Sequence, residues 1–179
     1  MVEESDITKD QLIDILNSCL SKWALGDIDK ITKSSLDAPM AAFILGCCFI
    51  DAMAGFYAGV ADKQTEKKGA GERFKIFSRK YLENYGYDAD KLYYSLRCNL
   101  VHSYTEGGTY VFTHNNAGFH LESTPLGKKI LNLEDFLSDL RSAYGVFIKD
   151  ISEDDELFDK AKRRYAYKGL LGPIRKYNG

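Results

Sequence analysis

Net charge is almost missing from this chain. Its 24 basic and 26 acidic residues leave −2 over 179 positions. A chain that grips nucleic acid over a broad surface carries a basic surplus, so any RNA or DNA site here has to be a local patch. Cysteine is sparse as well. Cys19, Cys47, Cys48 and Cys98 are the only four, and no pair has metal-ligand spacing. Adjacent Cys47 and Cys48 point about 100° apart on a helix, poor geometry for one ion. No metal and no cofactor are expected, and the thiols read as reduced and buried. A long apolar run is lacking too. Asp51 interrupts the most apolar stretch, residues 38–61. Neither uncharged part reaches the roughly 20 residues a bilayer span needs, so a buried core helix is expected. The acidic start (Glu3, Glu4, Asp6) is the opposite of a signal peptide. A cytoplasmic protein without membrane contact is therefore expected. Internal repeats and low-complexity segments are absent.

What is present is core-forming material. The chain is 45% hydrophobic and 28% charged, enough for one folded domain over residues 1–179. Its core is expected over about 8–150, with a C-terminal helix and tail over 153–179. Thr8-Lys9-Asp10-Gln11 fits a capping box ahead of Leu12, Ile15, Leu16, Cys19, Leu20 and Trp23, and Gly26 is a natural stop. Asp37 and Pro39 open the apolar helix. Gly55 and Gly59 along it suit a close helix crossing. Asp51, mid-helix among apolar neighbours, is either a boundary carboxylate or an acid facing a site. Residues 62–71 read as a loop.

Residues 72–85 form an amphipathic helix, with Phe74, Phe77, Tyr81 and Tyr85 inward and Arg73, Lys75, Arg79 and Lys80 outward. The outer four are a candidate RNA-contacting patch or a solvated basic face. After Gly86, Asp88 or Asp90 starts another helix. Residues 109–113 and 119–122 then alternate with period two around an Asn/Gly turn, which predicts a β-hairpin. His114 and His120 fall in its turn and strand, and no third metal ligand accompanies them. Asn132 caps a strong core helix, and an acidic-to-basic charge order from Glu153 to Arg164 suits a last one. The fold class is all-α: a bundle of about five helices with a small β-hairpin insertion.

Residues 92–104 concentrate the chemistry. On a helical wheel Leu92, Leu96, Leu100, Tyr93 and Tyr104 fall on one face, and Lys91, Ser95, Asn99 and His102 form a polar stripe. Arg97 lies at the edge of the apolar face. A histidine that can move a proton, beside an arginine that can hold a phosphate, suits cleavage of a phosphodiester. RNA brings its own nucleophile, the 2′-hydroxyl. Arg97 and His102 stand about 140° apart on an ideal helix. Three arrangements resolve this: a helix that ends near His102, a curled arginine, or a groove completed by a second copy.

Arg97-x-x-x-x-His102-x-Tyr104, framed as Leu96-Arg97-Cys98-Asn99-Leu100-Val101-His102-Ser103-Tyr104, resembles the signature of the HEPN (higher eukaryotes and prokaryotes nucleotide-binding) superfamily. The likeness covers roughly residues 38–150. It implies a HEPN-like helical bundle that forms a homodimer through the motif helices. It also implies a metal-independent endoribonuclease with Arg97 and His102 as catalytic residues, in a toxin–antitoxin or phage-defence setting. In some toxin pairs a partner nucleotidyltransferase modifies the tyrosine matching Tyr104 with AMP. Active members usually have a polar residue directly after the arginine. Here that position is Cys98, and Asn99, which could assist His102, comes one step later. The alternative is a non-catalytic HEPN-like module that binds nucleotide, RNA or a partner protein.

Overall fold

A computed structural model describes residues 7–33, 38–64, 69–105, 107–116 and 118–170. The acidic N-terminus, Asp37, Ala117, part of the 62–71 loop and the last nine residues of the tail lie outside these ranges. The protein is mostly helical, with one two-stranded parallel sheet.

Helix α1 (Lys9–Leu16) starts as its capping box dictates. The Thr8 hydroxyl accepts the Gln11 N–H, and the Gln11 side chain takes the Thr8 N–H at 2.9 Å. The chain then stays helical past the anticipated stop. A π-helical stretch (Asn17–Leu25) runs into α2 (Gly26–Lys33). Gly26 sits in the right-handed helical region at φ −65°, so its freedom is unused. Burial of Ile28 and the ion pair between Asp29 and Arg141 hold the added turns against the core.

Helix α3 (Pro39–Ala58) carries proline at its first turn and buries Phe43, Cys47, Phe49, Ile50, Met53 and Phe56. Among the described residues it alone is long and apolar enough to cross a membrane, and more than half of that stretch is buried inside the protein. Its glycines do mark close crossings. A β-carbon at Gly46 would stand 2.6 Å from the Phe136 ring, and one at Gly59 would stand 2.9 Å from Lys160. The stripe facing outward includes Leu45 and Cys48. Cys48 is thus exposed, and Cys19 and Cys98 are half-buried. Only Cys47 is the buried thiol that composition suggested.

Helix α4 (Ala70–Tyr81) turns Phe74, Phe77 and Tyr81 inward as anticipated. It ends four residues early, and a 3₁₀ turn (Glu83–Tyr85) leaves Tyr85 exposed. Asp88 then caps a continuous helical run: α5 (Ala89–Lys91), a π-helical stretch (Leu92–Cys98) and α6 (Asn99–Ser103).

The predicted β-hairpin is replaced by a different pairing. Strand β1 (Tyr110–Thr113) lies parallel to β2 (Lys129–Asn132), in the register Tyr110↔Lys129 to Thr113↔Asn132. Residues 119–122 do not pair with β1. Instead the Leu121 N–H donates to Ile130 O at 2.7 Å and the Ile130 N–H donates to Glu122 O at 3.0 Å, along the other edge of β2. Burial decides the contest. Tyr110 and Leu131 are fully buried, whereas Phe119 is half exposed, so the apolar β2 takes the inner place. The connection is long enough to serve as the crossover that parallel strands require.

Helix α7 (Leu133–Glu153) buries Phe136, Leu137, Leu140, Tyr144 and Phe147, and α8 (Asp155–Lys168) follows after the cap at Asp154. Helices α3, α4, α7 and the motif run share one core cluster.

His120 is a structural clasp. The Asn132 N–H donates to its Nδ1 at 3.1 Å, so the ring proton of the neutral imidazole sits on Nε2. Nε2 meets the Tyr87 hydroxyl at 2.9 Å, and that hydroxyl donates to Asp139 at 2.9 Å. Burial and the neighbouring Asp139 push the Tyr87 phenol far up, so it stays a donor. Tyr87→Phe is expected to destabilise the protein by about 1–3 kcal/mol, because Asp139 and His120 each lose a partner. Urea unfolding checks this, and an unchanged midpoint would contradict the role.

Candidate active site

The site stands on the end of the motif run. Leu92, Leu96 and Leu100, all buried, fasten one side of it to the core. The turn is wider than an α-helix from Leu92 to Cys98, Arg97 included, a type of distortion that recurs at functional sites. The run stops at Tyr104, whose backbone is left-handed at φ 52° and whose N–H bonds back to Asn99 and Leu100. His102 therefore lies in the last turn, exposed.

Arg97 is the hub. Its Nε donates to Asp51 Oδ2 at 2.9 Å. Its Nη1 lies 2.8 Å from His102 Nε2. A guanidinium only donates, so Nε2 must accept, and the imidazole is neutral with its proton on Nδ1. The guanidinium also lies 5.8 Å from the centre of the Tyr93 ring. Partial burial works against its charge, but the Asp51 carboxylate and the Cys98 thiol outweigh that and hold Arg97 above its ordinary range. The arginine is thus a permanent cation, oriented from α3 by Asp51.

Two of the three anticipated arrangements occur together. The helix ends just after His102, and the arginine side chain reaches along it. Arg97, His102 and Asp51 converge within a single protomer, with Asp51 and His102 each in contact with the guanidinium. Asn99 does not join them. Its amide lies against Gly107, where the following loop folds back onto the helix. The same loop is tied down by Ser95 Oγ, 2.7 Å from Thr109 Oγ1. Tyr104 is 67% exposed beside the site. Cys48 lies on the Asp51 side. Burial and Asp51 raise its thiol and Arg97 opposes them, so it is a poor thiolate.

The basic face of α4 is largely neutralised. Lys75 is buried and pairs with Glu72 at 2.5 Å and with Asp90 at 3.4 Å. Arg79 shares Asp90 at 3.0 Å, and Lys80 stands 3.8 Å from Asp150. Arg73 lines a cleft of about 490 Å³ between the end of α3 and the start of α4. Sequence reasoning placed Tyr93 only on the packed face, although its position four residues before Arg97 was a usable signal, and it overlooked Gly107, which carried none.

Asp51→Asn removes the charge that orients Arg97. It is expected to lower any activity that depends on Arg97 by roughly 10- to 100-fold, the worth of a charge-assisted hydrogen bond. Thermal stability should change little, because the pair is partly solvated. A wild-type rate in this variant would show that Arg97 needs no such support. Among the described residues, no group of three or more side chains could hold a metal ion. Comparison with family models, with curated proteins and with solved structures gives no match to this chain.

Proposed function

We propose that the chain is a HEPN-type, metal-independent endoribonuclease that works as a homodimer in a toxin–antitoxin or defence-type setting. The observation that carries this reading is the contact of Arg97 with both Asp51 and His102 at the open end of a helix. The chemistry runs as follows. An RNA phosphate takes Arg97 Nη1 in place of His102, which frees the Nε2 lone pair. His102 Nε2 removes the proton of the 2′-hydroxyl, and that oxygen attacks the adjacent phosphorus. The 5′-oxygen leaves with a proton returned by an imidazolium, giving a 2′,3′-cyclic phosphate and a 5′-hydroxyl end. Arg97 stabilises the charge that develops on the phosphoryl oxygens. The reaction uses no metal because the nucleophile belongs to the substrate. The outward stripe of α3 with Leu45 and Cys48, next to Asp51, supports pairing of two copies near the motif. The exposed Tyr104, whose hydroxyl has no partner among the described residues, is accessible to AMP transfer by a nucleotidyltransferase.

The test is purified protein with RNA in EDTA. Cleavage leaving 2′,3′-cyclic phosphate ends is expected, and 3′-hydroxyl products or dependence on added metal would reject the mechanism. The second reading, a non-catalytic module that binds nucleotide, RNA or a partner protein, is favoured by one observation. Arg97 is already engaged by Asp51, and Cys98 stands where a polar residue usually follows. RNA retained but never cut in the same assay would select it.

A further inference from the structure

A pair of tyrosine rings leads away from Arg97 and ends at Lys75. The guanidinium lies 5.8 Å from the Tyr93 ring centre, and the Tyr93 and Tyr94 rings stand 5.0 Å apart, nearly perpendicular. Lys75 Nζ is 5.4 Å from the Tyr94 ring centre. Tyr93 is fixed between helices. Phe74 packs 5.5 Å from it, and Gly71 comes so close that a β-carbon there would stand 2.7 Å from its hydroxyl. With the inner place filled, Tyr94 is held outside. It is 56% exposed, although an aromatic of this size normally covers itself. Lys75 is not a free phosphate ligand, since Glu72 and Asp90 neutralise it. Its effect is to pin the ring from one side.

We propose that Tyr94 is the stacking platform for an unpaired nucleobase of single-stranded RNA, next to the phosphate held by Arg97. Tyr94 stands three positions before Arg97 in the same π-helical stretch, less than one turn away. An exposed ring is a stacking surface that any base can use, which is how single strands are bound without reading sequence. The assignment rests on the ribonuclease reading only for the phosphate at Arg97. It adds a substrate class, single strands over duplexes, because bases in a duplex are already stacked on one another.

A fluorescein-labelled, fully 2′-O-methylated oligoribonucleotide of mixed sequence binds without being cut, so anisotropy reads stacking apart from chemistry. Tyr94→Ala is expected to weaken binding by roughly 5- to 150-fold, the worth of one base–aromatic stack. Tyr94→Phe should stay within about twofold of wild type, since the ring and not the hydroxyl makes the contact. The same strand in a duplex should show no difference between the variants. Equal affinity of wild type and Tyr94→Ala, or no binding by wild type, overturns the proposal, and so does a loss in Tyr94→Phe as large as in Tyr94→Ala. Circular dichroism melts of both variants confirm that the exposed position leaves the fold intact. Binding of the probe with the expected Tyr94 effect but no cleavage of unmodified RNA would sink the ribonuclease reading and leave the platform standing. Cleavage with binding indifferent to Tyr94 would do the reverse.

Discussion

His102→Ala is expected to reduce RNA cleavage by about 10²- to 10⁴-fold, the usual contribution of a positioned general base. The magnitude follows from what the imidazole alone supplies. Arg97 and Asp51 remain in the variant, so phosphate can still be held and its charge stabilised, but no group is left to take the 2′-hydroxyl proton. His102 is exposed in the last turn of the motif run and supports no core contact, so the melting temperature should stay within a degree or two of wild type. Affinity for an uncleavable strand should be equal or higher, because Arg97 Nη1 no longer has to give up its contact with His102. The decisive measurement is initial rate on unmodified RNA in EDTA. A His102→Ala protein that cuts at the wild-type rate would move the chemistry to another residue or to a contaminant.

Local signals with one physical cause were readable in the sequence. The capping box at Thr8, the proline at position 39, the Asp88 cap and the apolar spacing of α7 each act over a few residues, and each stands where the pattern put it. Gly26 was misread because its meaning depends on a distant partner: the burial of Ile28 and the Asp29–Arg141 pair decide that the helix continues. The hairpin failed for the same reason. Two alternating segments near an Asn/Gly turn look like partners until a third, Lys129–Asn132, offers a more buried edge. The site was legible as a set of residue types and less so as a geometry. A wheel of 100° per residue assumes a uniform α-helix, and the stretch from Leu92 to Cys98, which holds Arg97, is π-helical. It also places Cα–Cβ directions only, whereas the arginine reaches His102 through its length. Asn99, one turn before His102 on the wheel, is instead taken up by the loop, which no periodicity could reveal.

That loop gives the largest structural effect at the site. Gly107→Ala is expected to destabilise the protein by about 2–6 kcal/mol, the sum of two costs. The backbone at Gly107 is left-handed, at φ 62°, which costs a non-glycine residue on the order of 1–3 kcal/mol. The new methyl group would also drive into the Asn99 amide and to 2.8 Å from the Ser95 carbonyl oxygen. The second obstacle is helix backbone and cannot swing away, so overpacking adds roughly 1–3 kcal/mol. Relief comes only if the loop lifts. Lifting strains the Ser95–Thr109 bond and exposes the helix end that carries Asn99 and His102. A fall in urea midpoint should therefore accompany a fall in any RNA cleavage, although Gly107 touches neither Arg97 nor His102. Gly108, also left-handed but with open space around its α-carbon, separates the two costs. Gly108→Ala should show the backbone cost alone, about 1–3 kcal/mol, with cleavage by the folded fraction unchanged. If both variants behaved alike in activity, the close approach of the loop to Asn99 would not be what holds the His102 end of the helix in place.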